Sequence, residues 1–213
     1  GKVSLSATIY GGGSLVYTTI FEYAVSGGTT WKTLPLCSPV AVGQTFTCTW
    51  NTTGLTSGSY DLRAVATAGS TKVTSAAVTD VMVDNTAPAV TMTDPGATLS
   101  GTVTLGATTT DADSGVGQVV IQYAPNGTTT WTTACTIGSS PFTCRFDTTK
   151  LANGKYDFRA VSTDNAGNSA TSASVIGRTV DNTVSSVAME DPGAYLTGTV
   201  TLTATATART GVA

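Results

Sequence analysis

The sequence predicts an all-β chain of tandem β-sandwiches, two main domains plus the start of a third. Three observations predict it: a long-period repeat, apolar residues at alternate positions, and turn residues bounding the alternating runs. The repeat is explicit. Asp94-Pro95-Gly96-Ala97-Thr98-Leu99-Ser100-Gly101-Thr102-Val103-Thr104-Leu105 returns as Asp191-Pro192-Gly193-Ala194-Tyr195-Leu196-Thr197-Gly198-Thr199-Val200-Thr201-Leu202, a period of 97 residues. Gly1-Lys2-Val3-Ser4-Leu5-Ser6-Ala7-Thr8 matches Gly101 to Thr108, so the first unit is expected to lack its first strand.

Other landmarks recur in the same order: Tyr23 with Tyr123, Trp31 with Trp131, Cys37 with Cys135, Cys48 with Cys144 and Trp50 with Phe146. Tyr60-Asp61-Leu62-Arg63-Ala64-Val65 corresponds to Tyr156-Asp157-Phe158-Arg159-Ala160-Val161, and Asp84-Asn85-Thr86 to Asp181-Asn182-Thr183. These matches place domains at 1–87, 88–184 and 185–213, the last holding only the first strands of a third repeat.

In the middle unit the elements follow from period-two alternation. A strand is expected over Val90 to Thr93. Others carry Val103, Leu105 and Ala107; Val119, Ile121 and Tyr123; Phe142, Cys144 and Phe146; and Tyr156, Phe158 and Ala160. The Trp131 to Ile137 and Ser172 to Val180 stretches bring the total to about seven, each bounded by Gly, Asn, Pro or Asp. Leu55-x-x-Gly58-x-Tyr60 and its copy Leu151-x-x-Gly154-x-Tyr156 place a tyrosine at the start of the penultimate strand. Such a tyrosine corner, with Tyr60 and Tyr156 hydrogen-bonded back to the preceding crossover, and the strand count together make each unit an immunoglobulin-like β-sandwich of the constant type.

Composition narrows function. The 213 residues include no histidine, which removes Ser-His-Asp and Cys-His catalysis and the commonest nitrogen ligand of zinc. Glutamate occurs only as Glu22 and Glu190. No enzyme activity, catalytic residue, cofactor or resident metal is therefore expected. With 11% charged residues and a net charge of −3, the chain offers no basic surface for nucleic acid or for anionic membranes. No apolar run approaches membrane-spanning length, and the first residues lack the apolar core of a signal peptide.

The combination of Asp84-Asn85-Thr86-Ala87-Pro88, the Asp94 to Leu105 segment and Gly154-x-Tyr156-Asp157-Phe158-Arg159-Ala160-Val161 resembles the bacterial Ig-like repeats of long secreted or surface-attached proteins, over essentially the whole chain. The resemblance implies a secreted or cell-surface location. It leaves several roles open, because such repeats serve in adhesins, in surface fibres and as spacers of exported hydrolases.

Cys37 with Cys48, and Cys135 with Cys144, flank short loops at corresponding places in two repeats. One local disulfide per domain is expected. Free thiols or a metal clip are the alternatives, but zinc would need four thiolates gathered from two domains. A loop this short contributes about 3 kcal/mol in the chain-entropy account, and disulfides imply an oxidising compartment.

Trp31 and Trp131 recur, which favours packing over sugar stacking, so specificity is better sought in single-copy features. One is the Tyr10 to Tyr17 loop. The other is the acidic turn Asp111-Ala112-Asp113-Ser114-Gly115, where Asp111 and Asp113, with Asp164 on a later loop, could supply oxygen ligands to calcium or serve as ordinary turn formers. Asp61 with Arg63, and Asp157 with Arg159, read as exposed same-face pairs that aid solubility and register. Lys155 reads as a solvated lysine rather than half of an isopeptide bond. Asn51-Thr52-Thr53 and Asn126-Gly127-Thr128 match the N-glycosylation acceptor pattern.

The expected role is a stalk, fibre or filament segment whose partners are neighbouring repeats or copies of itself. The alternatives are an adhesin or carbohydrate-binding repeat meeting glycans or host surface proteins, and an ancillary domain of an exported enzyme. Residues 185–197 could also be donated as a strand to another copy, or belong to an array that simply continues.

Overall fold

The computed structural model describes residues 1–10, 16–34, 40–42 and 44–207. The chain divides into two compact units, one of residues 1–88 with 110–116 and 163–169, the other of 89–109, 117–162 and 170–213.

The first unit contains β1 (Lys2–Thr8), β2 (Thr18–Val25), β3 (Lys32–Thr33), β4 (Val40–Val42), β5 (Thr45–Asn51), β6 (Gly58–Ala68), β7 (Thr71–Thr74) and β8 (Val78–Val83). One sheet has the order β1-β5-β4; the other runs β3-β2-β6-β7, with β8 also paired to β6. The alternation of β5 shows why these residues form strands: Phe46, Cys48 and Trp50 are buried while Thr47 and Thr49 face solvent. Trp50 is 1% exposed, and around it pack Phe21, Leu34, Cys48, Tyr60 and Val83.

The second unit is built on β9 (Ala89–Met92), β10 (Thr98–Leu99), β11 (Thr102–Thr110), β12 (Val116–Pro125), β13 (Thr132–Ile137), β14 (Thr143–Asp147), β15 (Gly154–Asp164), β16 (Ser169–Thr171) and β17 (Val175–Val180), with one 3-10 turn at Thr148–Lys150. Its sheets have the orders β10-β17-β15-β12-β13, with β16 on β15, and β14-β11-β9. Leu105, Val119, Ile121, Phe158, Ala160 and Val180 are completely buried. They are the inward members of the alternating runs.

The sequence suggests seven strands in this repeat where the structure has nine, for two local reasons. Pro95 offers no N–H and Gly96 adopts φ +108°, its N–H bonded to Asp94 Oδ1 at 2.9 Å. The first strand is therefore broken, and its second half, β10, pairs in parallel with β17 in the opposite sheet. Farther on, Ser172 Oγ accepts from Ala160 N at 3.0 Å and donates to Ala173 O at 2.9 Å. A side chain in the ladder splits β16 from β17. Ser75 does the same in the first unit, against Ala64 N and Ala76 O.

Within residues 185–197, β18 (Ser186–Met189) pairs antiparallel with β19 (Ala204–Thr207) of its own chain. Val187 and Met189 remain exposed.

Candidate functional site

The most constrained polar group in each unit is an aspartate on the penultimate strand. The sequence reading of Asp61 and Asp157 as exposed partners of Arg63 and Arg159 is corrected here: they are 6% and 7% exposed. In the second unit the pairing of β15 with β17 slips between Tyr156 and Phe158, so that Ile176 and Gly177 together face Asp157. This is a β-bulge, with Gly177 at φ +70°. The Asp157 carboxylate accepts from Gly177 N at 2.7 Å, Asn126 Nδ2 at 2.7 Å and Gly127 N at 3.3 Å. The first unit repeats the device, with the same slip between Tyr60 and Leu62. Asp61 accepts from Asp80 N at 3.1 Å, Ser26 Oγ at 2.9 Å and Gly27 N at 3.0 Å.

Both carboxyls stay below the ordinary aspartate range. Burial alone would raise Asp157, but the hydrogen bonds from Asn126, Gly177 and Gly127 outweigh it. For Asp61 the N–H groups of Gly27 and Asp80 act first and the Ser26 hydroxyl adds to them, against a smaller opposing effect of burial.

The arginines are freed for another contact. Arg63 lies over the Trp31 ring, 4.0 Å from its centroid, and Arg159 over Trp131 at 4.2 Å. Arg63 also forms an ion pair with Glu22 at 2.7 Å. Arg159 instead donates its Nε to the neutral Gln122 Oε1 at 2.8 Å. The recurring tryptophans thus pack against arginine on the outer sheet faces, and Trp50 belongs to the core.

Of the three carboxylates proposed as calcium ligands, the structure brings together Asp111 and Asp164 but not Asp113, and adds Asp84. Oxygens of Asp84, Asp111 and Asp164 lie within 4.8 Å of one another. Asp84 and Asp164 are buried, and Asp111 is half-buried. Each accepts hydrogen bonds: from Thr86 N and Ser114 Oγ at Asp84, from Ser114 N and Gly115 N at Asp111, and from Asn168 N and Nδ2 at Asp164. The Ser114 hydroxyl is the chief cause that keeps Asp84 below its usual range. Such an all-oxygen set suits a hard cation such as calcium. Asp84 was hidden in the sequence because its recurrence as Asp181 makes it read as scaffold.

Cys135 and Cys144 form a disulfide, and it joins edge strand β13 of one sheet to edge strand β14 of the other. Cys48 is disulfide-bonded as well, while Cys37 lies outside the described residues. Both tyrosine corners are formed: Tyr60 Oη donates to Thr56 O at 2.9 Å and Tyr156 Oη to Ala152 O at 3.1 Å. Beside the first lies an open cavity of about 490 Å³ whose lining includes Tyr23, Leu55, Tyr60, Thr29, Thr30 and Lys32.

Lys155 is exposed, in keeping with a solvated lysine. The amide of Asn126, in one acceptor pattern, is engaged with Asp157, and Asn51 Oδ1 accepts from Thr53 N and Oγ1 in the other. Most of the Tyr10 to Tyr17 loop, residues 11–15, lies outside the described residues.

No curated protein matches the chain in sequence. Among solved structures it is similar to the fibronectin(III)-like modules of Clostridium thermocellum CbhA, with 18% identity over 84% of this chain and 83% of that one and a TM-score of 0.42. It is also similar to domains A168–A170 of titin, at 15% identity over 83% of this chain and 59% of that one, TM-score 0.46. Chicken CNTN1 FN1–FN3 is similar at 13% identity, over 76% and 56%, TM-score 0.38. In sequence, residues 88–160, which hold Asp157, the Trp131–Arg159 stack and the disulfide, match the bacterial Ig domain family.

Proposed function

We propose that this chain is a non-catalytic structural segment of an extracellular or cell-surface protein, a length of stalk, fibre or filament made from repeated sandwiches. One observation carries the reading. The bulge aspartate, the tyrosine corner and the tryptophan–arginine stack are rebuilt in both units with internal partners at corresponding positions, so the recurring side chains brace each sandwich. The inter-sheet disulfide of the second unit adds a covalent brace. Repeats that carry load need this kind of self-sufficient unit, since each contacts only its neighbours. The absence of histidine from the sequence supports the non-catalytic part of the reading.

Single-molecule stretching of the 213-residue chain tests it. Two discrete unfolding events are expected. On reduction, the event of the second unit should lengthen by about 3 nm, the span of the chain closed between Cys135 and Cys144, whose sequence separation is 9. Extension without resolved events would overturn the structural role.

A further inference from the structure

The two units build the same outer-face motif with one difference in charge, and that difference points to a ligand. In the first unit Thr33, Glu22 and Arg63 stand side by side across β3, β2 and β6, with Trp31 against the guanidinium. Glu22 neutralises Arg63 at 2.7 Å, through both Nε and a terminal nitrogen. In the second unit Thr133 faces Gln122, and Gln122 accepts from Arg159 Nε at 2.8 Å, with Trp131 against the guanidinium. Geometry, stacking and cross-strand neighbours are kept. The carboxylate is gone, and among the described residues no acidic side chain forms an ion pair with Arg159.

We infer that Arg159 is a binding site for the carboxylate of an acidic saccharide. A guanidinium already fixed by a ring and by a carboxamide has little freedom left to lose, and its fork is matched to a carboxylate. In the first unit the chain fills that position itself, which demonstrates that the motif accepts a carboxylate. In the second unit Gln122 engages only Nε, and the terminal nitrogens of the guanidinium are left for a carboxylate from outside. The flanking groups select the rest of the ligand. The Gln122 amide and the exposed Thr133 hydroxyl lie next to the guanidinium along the sheet, a donor and acceptor row suited to ring hydroxyls, beside an aromatic side chain. A carboxylate with neighbouring hydroxyls is the chemistry of a uronic acid residue. This site goes beyond the structural role proposed above and does not depend on it.

The test uses the whole chain with trigalacturonic acid as probe, its methyl ester as the neutral control, and the side-chain N–H resonances of Trp131 and Arg159 as readout. The acid is expected to shift both in a saturable, salt-sensitive way and the ester to leave them unmoved. Gln122→Glu, which copies the first unit, should weaken binding at least about tenfold by supplying the carboxylate internally. The reciprocal Glu22→Gln should create a second response, at Trp31. Arg159→Lys keeps the charge but loses the fork and should also weaken binding. Three results would overturn the site: no shift with the acid, equal shifts with the ester, or binding unaffected by Gln122→Glu. A Trp131 resonance that moves with protein concentration, without saccharide, would assign the carboxylate to a second copy of this chain and overturn it equally.

Discussion

The backbone N–H of Gly177 donates to the Asp157 carboxylate at 2.7 Å, and this bond holds the bulge that lets two residues of β17 face one residue of β15. Asp157 also receives Asn126 Nδ2 and Gly127 N. One buried side chain therefore ties the turn after β12 to the last strand of the sandwich.

Replacing Asp157 by alanine removes the acceptor of the half-buried Gly177 N–H and of the exposed Gly127 N–H. A loss of about 1–2 kcal/mol in the second unit is expected, because hydrogen bonds to a charged acceptor are stronger than neutral ones while water can reach the freed donors. Urea unfolding of the chain and of Asp157→Ala measures it. An unchanged midpoint would show that the bulge stands without the carboxylate.

The same carboxylates set the acid limit of the fold. Asp61, Asp84, Asp147 and Asp157 all have lowered folded-state pKa values. A lowered value means that the unfolded chain takes up protons first, so the stabilisation is complete above the unfolded aspartate value of about 3.9 and is lost as pH falls through the folded values. Thermal stability should be flat with respect to these groups from neutral pH to about pH 5 and decline below about pH 4. Asp157→Asn should decline less steeply over that range.

Asp80 occupies the bulge position that Gly177 fills in the second unit, at φ +58°. Its carboxylate also lies against the Ser26 hydroxyl already used by Asp61. Asp80→Gly relieves the left-handed backbone and separates two acidic groups, while the Asp80 N to Asp61 bond survives. Stabilisation by about 0.5–1 kcal/mol is expected, read as a rise in the unfolding temperature of the first unit. A fall would mean that the Ser26–Asp80 contact outweighs the strain.

Reduction of Cys135–Cys144 should cost the second unit about 2–3 kcal/mol through the freedom returned to the unfolded loop. The double variant Cys135→Ser, Cys144→Ser should match reduced protein in calorimetry. Tyr156→Phe removes only the hydroxyl that donates to Ala152 O and should cost about 1 kcal/mol, with Tyr60→Phe giving a similar loss in the first unit.

By itself the sequence determined the all-β class, the repeat and the tyrosine corners, because these are written in short spacings: alternate apolar residues, and Leu55 and Leu151 five residues before a tyrosine. The cysteine pairing of the second unit was legible for the same reason. Only the tertiary structure decided the fate of the charged side chains. Asp61 and Asp157 read from sequence as exposed beside arginine, yet they are buried, with donors that come from residues 19 to 35 positions away. Likewise Asp84 meets Asp111 and Asp164 across long stretches of chain, and no local pattern records that meeting. The physical reason is common to all of them: a strand's spacing fixes which face a side chain takes, whereas the partner of a buried charge is fixed by which distant backbone N–H groups the fold turns toward it.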